Sequence, residues 1–327
     1  MSSVKLISVI VPTHNEIANV EPLYRRLRAV FSGLPAYEFE LIFCDDSTDA
    51  TPIAVARLHE VDSRVKLIRL SRRFGQSAAI TAGIDQCSGN AAILMDADLQ
   101  DPPEIIPRLI ELWEAGNEVV YVERPSRSTY AAYEFFAGVY YHILRRLSAV
   151  EIPRNAGEFR LVDGKVLTFL RTLKEHTRFL RGLTVWPGLR QVAVKIDRPP
   201  RMHGRTNYGF TRSFLAALDG MVSFSVVPLR LAAIFGCVVA VLSLLAGATY
   251  GVLKIFYSSV FGVGWTSLMV SIFFLGGVQL MFLGILGEYV GRIFMEVQQR
   301  PLYWVDYQIG FPSRFPPPSG PPGEAKP

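Results

Sequence analysis

Through residue 122 the apolar positions of the chain alternate between two rhythms. Leu6–Val11 is a short, nearly continuous apolar run, as a buried parallel strand requires. Val20, Leu23, Leu27, Val30 and Phe31 then fall on one face of a helix. The alternation continues with a strand over Phe39–Cys44 and a helix opened by Thr51-Pro52, a capping hydroxyl followed by proline at the first helical position. Val65–Leu70 and Ala91–Met95 read as strands on either side of a helix over Ser77–Gln86. Asp101-Pro-Pro-Glu104, spaced as a capping box, opens a helix carrying Ile105, Ile106, Leu109, Ile110 and Trp113. Gly116 ends that helix, and Val119–Val122 is the next strand. This βαβα order predicts an α/β domain with a mostly parallel sheet covered by helices on both faces. In such sheets ligands bind outside the carboxyl ends of the strands.

The C-terminal part has a different pattern. Leu231–Leu253 contains no charged residue over 23 positions. At ~1.5 Å per residue it spans roughly 34 Å, enough for a hydrocarbon core of ~30 Å. Ile255–Gly287 is a second uncharged run, in which Gly262, Gly264 and Trp265 mark a turn and an interfacial anchor before a helix from about Thr266 to Gly287. The short connection offers only Lys254, whereas Arg198, Arg201, Arg205, Arg212 and Arg230 precede the pair and Arg292 and Arg300 follow it. The positive-inside rule therefore predicts a two-helix hairpin with both flanks and both termini in the cytoplasm. Within 210–226, Phe214, Leu215, Leu218, Met221 and Val222 share one helical side, as in a helix lying in the membrane interface. Glu288 and Arg292, spaced i,i+4, read as a structural ion pair. The expected organisation is a catalytic domain over 1–209, a juxtamembrane helix over 210–229, two spans within 230–290, a cytosolic segment over 291–310 and a disordered tail over 311–327, the last with seven prolines in 17 residues.

Composition adds exclusions. The chain has 327 residues, 50% of them apolar and 19% charged, with mean hydropathy +0.26, so a disordered state is excluded. The N-terminus lacks a signal-peptide pattern. Cys44, Cys87 and Cys237 have neither the number nor the spacing for a disulfide framework or a zinc site, and read as buried reduced thiols. The net charge of +5 and the absence of nucleic-acid motifs point the basic residues toward phosphates and lipid headgroups. The five histidines show no paired ligand spacing, and the aromatic stretch Tyr130–Leu147 reads as packing or membrane-facing surface.

Chemistry-bearing residues collect at strand ends. Asp96 and Asp98 follow the apolar strand Ala91–Met95 and suit a hard, oxygen-preferring cation such as Mg²⁺ or Mn²⁺. Asp45-Asp46-Ser47-Thr48-Asp49 ends the second strand, and Pro12-Thr13-His14-Asn15-Glu16 ends the first. Three polar clusters at three strand ends define one crevice and argue for nucleotide binding, while neither GxGxxG nor GxxxxGK[ST] is present.

The segments SVIVPTHNE, CDDSTDATP, RRFGQSAAITAGID and MDADLQDPPEIIP resemble family 2, GT-A-type glycosyltransferases. GEFRLVDGKV, RFLRGLTVW and GGVQLMFLGILGEYVGRIFMEVQQRPLY narrow the likeness to membrane-anchored polyprenyl-phosphate glycosyltransferases, the group of dolichol-phosphate mannose synthases and undecaprenyl-phosphate glucosyl- and aminoarabinosyltransferases. The likeness covers about residues 5 to 307. It implies a GT-A (Rossmann-like) sheet domain followed by interfacial helices and a transmembrane hairpin. It implies metal binding by Asp96, Asp98 and Gln100, nucleotide binding by Pro12, Glu16, Asp45 and Asp46, and catalytic roles for Asp98 and Glu158. Three positions depart from the family pattern: Glu158 stands where relatives commonly carry Asp, Ser47 where they often carry Gly, and Asn207 where many carry Lys.

The implied reaction is transfer of a sugar from a nucleotide-sugar, UDP-linked in preference to GDP-linked, to a polyprenyl phosphate, with inversion at the anomeric carbon. Arg124, Arg127, Arg160, Arg201 and Arg205 are the candidates to hold the lipid phosphate by forked hydrogen bonds. Membrane lipid and a second copy of the chain, through glycines such as Gly276-Gly277, are the further expected partners. A processive polysaccharide synthase is one alternative, but Gln298-Gln299-Arg300-Pro301 does not supply its QxxRW sequence. A non-catalytic membrane scaffold or lipid-carrier subunit is the other, and the carboxylates at all three strand ends count against it.

Overall fold

The computed structural model describes residues 4–123, 156–175, 178–196, 227–256 and 264–312. They divide into two units. One holds the described residues up to 196 together with those from Pro301 onward, and the other holds the long apolar helices that end before it.

The strands of the first unit are β1 (Lys5–Thr13), β2 (Tyr37–Asp45), β3 (Val65–Leu70), β4 (Ala91–Leu94), β5 (Val119–Glu123), β6 (Ala156–Asp163), β7 (Gln191–Lys195) and β8 (Val305–Ile309). Its helices are α1 (Ile17–Ser32), α2 (Thr51–Val61), α3 (Gln76–Gln86), α4 (Ile106–Glu114), α5 (Gly164–Thr172) and the single turn α6 (Leu180–Leu183). The strands form one sheet in the order β7-β5-β6-β4-β1-β2-β3-β8. β1 pairs in parallel with β2 and β4, β2 with β3, and β5 with β7. This is the mostly parallel α/β sheet expected of a GT-A-type domain. Two antiparallel insertions were not legible in the pattern: β6 lies between β4 and β5, and β8 closes the β3 edge.

Side-chain alternation divides the sheet into two buried faces. Val9, Val11, Leu41 and Phe43 pack with Val20, Leu23 and Leu27 of α1 and Leu109 and Trp113 of α4. Each fully buried aliphatic side chain contributes about 1.5–3 kcal/mol. Ile10 and Cys44 face the other way, toward α3, where a β-carbon on Gly83 would stand 2.3 Å from Ile10 Cγ2 and 2.9 Å from Cys44 Sγ.

Two helix starts differ from the expectation. Ala50 occupies the cap position of α2, and Thr51 lies inside the helix, its N–H donating to Asp49 Oδ1 at 3.0 Å. The chain enters α4 through the 3₁₀ turn Pro103–Ile105, whose cap position is Pro102 rather than Asp101. Glu104 accepts from Arg26 of α1 at 2.9 and 2.6 Å, because the turn directs it outward.

The second unit contains α7 (Val227–Phe256) and α8 (Trp265–Gln298). Ala232–Thr249 and Val270–Gln298 are long and apolar enough to cross a membrane, and neither is buried by protein. The Phe235 and Phe282 rings join the two helices at 6.2 Å. Arg292 Nε donates to Glu288 Oε1 at 2.9 Å, the expected i,i+4 pair. Cys44 and Cys87 are buried thiols as expected, whereas Cys237 is exposed on α7, which has no protein packed over it there. Residues 210–226, Tyr130–Leu147 and the tail from 313 lie outside the described residues.

Candidate active site

The carboxyl ends of β1, β2 and β4 open into one cleft of about 270 Å³. Pro12, Thr13, His14 and Glu16 line it from the first strand end, Asp46 from the second, and Asp96, Ala97 and Asp98 from the third. Arg73, Gly75, Gln76 and Ala79 close it from the start of α3.

Asp45 and Asp46 are neighbours with different tasks. Asp45 is wholly buried and accepts from Thr13 Oγ1 at 3.0 Å, from the Ser47 hydroxyl and from Arg69 Nη1, its cross-strand partner on β3. Asp46 faces the cleft. Its Oδ1 receives His14 Nδ1 at 2.8 Å, and its Oδ2 accepts from the N–H groups of Phe74 and Gly75 at 3.2 and 3.3 Å. The same His14 nitrogen lies 3.1 Å from the Asp46 carbonyl, so two acceptors place its proton on Nδ1. Glu16 lines the cleft while its Oε2 accepts from Asn19 at 2.5 Å.

Asp96 Oδ1 accepts from the Gln76 side chain at 2.7 Å. Asp98 Oδ1 accepts from the backbone N–H of Gln100 at 3.1 Å, in a turn where Leu99 adopts φ 58°. Gln100 is not among the residues lining the cleft. Glu158 lies on β6, which runs antiparallel to β4 with Arg160 opposite Leu94. That pairing ends at Leu94 and Arg160, two residues short of Glu158, which is not among the residues lining the cleft.

Residues 8–167, which contain all three strand ends, match Glycosyl transferase family 2. A glycosyltransferase of Synechocystis sp. is 42% identical over 302 residues, 91% of this chain and 94% of its own. An SfII prophage-derived bactoprenol glucosyl transferase of Shigella flexneri is 39% identical over 302 residues, 91% of this chain and 96% of its own. A prophage bactoprenol glucosyl transferase homolog of Escherichia coli is 37% identical over 302 residues, 91% and 97% of the two chains. The chain belongs to glycosyl transferase family 2.

A family 2 enzyme must accommodate a nucleoside diphosphate, and the charge of this cleft makes that demanding. Four lining carboxylates, Glu16, Asp46, Asp96 and Asp98, face one lining arginine, Arg73. Like charge at that density repels a diphosphate unless a cation intervenes. Asp96 and Asp98 present only oxygen donors, which fits a divalent ion. Among the described residues no three His, Cys, Asp or Glu side chains converge as a preformed metal site.

Of the arginines expected to hold a phosphate, Arg124, Arg127, Arg201 and Arg205 lie outside the described residues. Arg160 has a buried guanidinium, donating to Thr184 Oγ1 and the Gly157 carbonyl, both at 2.8 Å. Burial pulls its pKa down, Glu158 nearby opposing the shift. That burial sets Arg160 apart from the cleft lining, which it does not join, and its Nε has no hydrogen-bond partner among the described residues.

Two residues lining the cleft, Arg73 and Gln76, carry no signal of their own in the sequence. Arg73 and Gln76 sit beside Gly75, the positive-φ residue that opens α3, and that glycine was the available signal. His14 shows no ligand spacing because its partner is 32 positions away. Arg181 reaches Glu158 from α6, a tertiary contact with no local signature.

Proposed function

We propose that this family 2 enzyme moves a sugar from a nucleotide-sugar to a polyprenyl phosphate at the cytosolic face of a membrane, inverting the anomeric configuration. The observation that carries the reading is similarity to bactoprenol glucosyl transferases over 91% of the chain, a span too long to omit either the cleft or the apolar helices. A UDP-sugar is the favoured donor and a GDP-sugar the alternative.

A phosphate monoester is largely dianionic at neutral pH, its second pKa being ~6, so it is already a nucleophile. The difficulty is bringing it to a second anion. Pro12, Glu16 and Asp46 face the nucleoside half of the donor, with Asp45 anchoring the β2 end behind them. Asp96 and Asp98, with Gln100 moving in from the adjoining turn, would hold Mg²⁺ or Mn²⁺. Such an ion, when bound, neutralises charge that gathers on the departing diphosphate. Arg73 adds a fixed positive charge on the cleft wall.

The apolar helices α7 and α8 suit a hairpin that tethers the enzyme to the membrane holding the acceptor lipid. β8 follows both helices yet pairs with β3, which precedes them. Chain crossings between two strands of one sheet must be even in number, and two spans satisfy that. The Lys/Arg bias of the flanks supports a cytoplasmic position for the sheet. The glycines of α8, including Gly276 and Gly277, suit packing against a second copy.

The test is transfer of labelled glucose from UDP-glucose to undecaprenyl phosphate by membranes containing the protein. Asp98→Ala is expected to lower transfer by about 10²-fold or more, the scale of losing one electrostatic stabiliser. Chelation is expected to abolish transfer and added Mn²⁺ or Mg²⁺ to restore it. Undiminished transfer by Asp98→Ala in chelator would defeat the proposal.

A further inference from the structure

Glu158 is held by cations. Arg181 Nε donates to Glu158 Oε1 at 2.7 Å, and Arg160 Nη2 lies 3.9 Å from Oε2. The partners differ in access: the Arg160 side chain is 2% exposed, that of Arg181 36%. Arg160 Nη1 and Nη2 donate to Thr184 and Gly157, and its Nε, without a hydrogen-bond partner among the described residues, is buried out of reach of a ligand. Arg181 engages Glu158 through Nε, and among the described residues its two Nη groups make no further side-chain bond. Glu158 lies two residues before Arg160, which pairs with Leu94, the last residue of β4 before Met95 and the cleft aspartates Asp96 and Asp98.

We propose that Glu158 is a positioning residue and that Arg181 is the group it positions, presenting its Nη donors to the acceptor phosphate. The assignment rests on the reading of the acceptor as a polyprenyl phosphate. A carboxylate already bonded to one guanidinium and facing a second is a poor proton acceptor, and the reaction asks for none. A phosphate oxygen forms the bond to the anomeric carbon. The bond from that carbon to the diphosphate breaks, its electron pair leaving on the diphosphate oxygen. Two dianions thus yield a phosphodiester monoanion and a nucleoside diphosphate trianion, with no proton transferred. What the step does require is a fixed cation on the incoming phosphate, and a carboxylate-anchored guanidinium is the rigid form of one.

The experiment uses the full chain in detergent micelles, with UDP-glucose and undecaprenyl phosphate for turnover and geranyl phosphate as a soluble probe followed by ³¹P NMR. Glu158→Gln keeps an oxygen acceptor for Arg181 and is expected to retain transfer within about tenfold, a single charge-assisted bond being weakened rather than lost. Its acidic rate limb near pH ~6 should persist, since that limb belongs to the phosphate. Glu158→Ala and Arg181→Ala should each raise the KM for undecaprenyl phosphate by about tenfold or more while leaving the KM for UDP-glucose unchanged. Geranyl phosphate should broaden with wild type and Glu158→Gln, and not with Arg181→Ala.

A Glu158→Gln enzyme as impaired as Glu158→Ala, by about 10³-fold and with the acidic limb gone, would mark Glu158 as a base and overturn the proposal. Arg181→Ala with unchanged acceptor KM and unchanged ³¹P broadening would overturn it as well. Should an alanine variant fail to fold, Arg181→Lys, which keeps charge but loses the fork, should show an acceptor KM raised above wild type; a wild-type value would count against the proposal. If wild type transfers no glucose, the functional reading falls separately, and the phosphate titration still decides the pair.

Discussion

Asn15 sits at φ 61°, a left-handed conformation that asparagine tolerates better than most residues. Its Oδ1 accepts from the N–H groups of Thr48 and Asp49 at 2.8 and 3.3 Å, and its own N–H donates to Ser47 Oγ at 2.8 Å. The turn after β1 is thereby tied to the turn after β2, which fixes the two walls of the cleft that carry His14 and Asp46. Ser47 explains one departure from the family pattern: it is not in the positive-φ region, and its hydroxyl serves both Asp45 and Asn15, so glycine is not needed there. Asp62 gives a pH-dependent counterpart away from the cleft. Hydrogen bonds from Arg64 hold its carboxyl down to about 2, against the opposing effect of burial. A carboxylate depressed in this way contributes stability that is complete above the unfolded value of ~3.9 and is lost as pH falls through the folded one. Asp62→Asn is expected to destabilise by on the order of 1 kcal/mol at neutral pH, the half-exposed Arg64 keeping the effect small. The gap in thermal midpoint between mutant and wild type should close as the pH is lowered toward 2; a gap independent of pH would refute the assignment. The aspartates of the cleft were legible as residues because paired acids after apolar strands have few other tasks. Arg181 was not, because its partner is 23 positions away and only the fold joins them.

The helices divide by how their positions are decided. α1 and α4 follow their apolar spacing, and the residues that spacing selects are buried, Val20, Leu23, Leu27 and Phe31 in one and Ile106, Leu109, Ile110 and Trp113 in the other. α3 is set by close approach instead. Gly75 opens it at φ 93°, and Gly83 lets it sit directly on β1 and β2. Ile10 is fully buried and β-branched, so it has little freedom to yield to an added methyl. Gly83→Ala is therefore expected to cost about 1–3 kcal/mol, the usual penalty of overpacking, and to shift Gln76 away from Asp96. Thermal unfolding in detergent together with donor KM would check both parts, and an unchanged midpoint would show that α3 can retreat. Neither the close approach nor the 3₁₀ entry to α4 is encoded in periodicity. Asp101 and Glu104 matched a capping pattern, yet Pro102 holds the cap position and Arg26 on another helix pairs with Glu104.

At the scale of the molecule, the sheet is completed by residues that follow the membrane segment. Ser71 donates to the Trp304 carbonyl at 3.0 Å, Tyr303 donates to Asp85 Oδ2 at 2.8 Å, and Val305 and Gln308 are buried. The parallel core and the apolar helices were legible because each rests on a long run of one pattern. β8 was not, since five residues with a mixed pattern resemble a surface segment until the open edge of β3 is known. Ending the chain after Pro312 is expected to leave the thermal midpoint unchanged, whereas ending it after Arg300 should lower it by several degrees, ~1 kcal/mol corresponding to a few degrees at this size. The shorter chain should also self-associate through the uncovered strand, seen as higher-order species on size exclusion. Equal midpoints for the two truncations would mean that β8 is dispensable. The same strand ties completion of the sheet to the membrane insertion proposed for α7 and α8. A polypeptide whose second helix failed to insert would deliver Val305–Ile309 to the opposite compartment. The sheet would then keep β3 as an open border with its backbone groups unpaired.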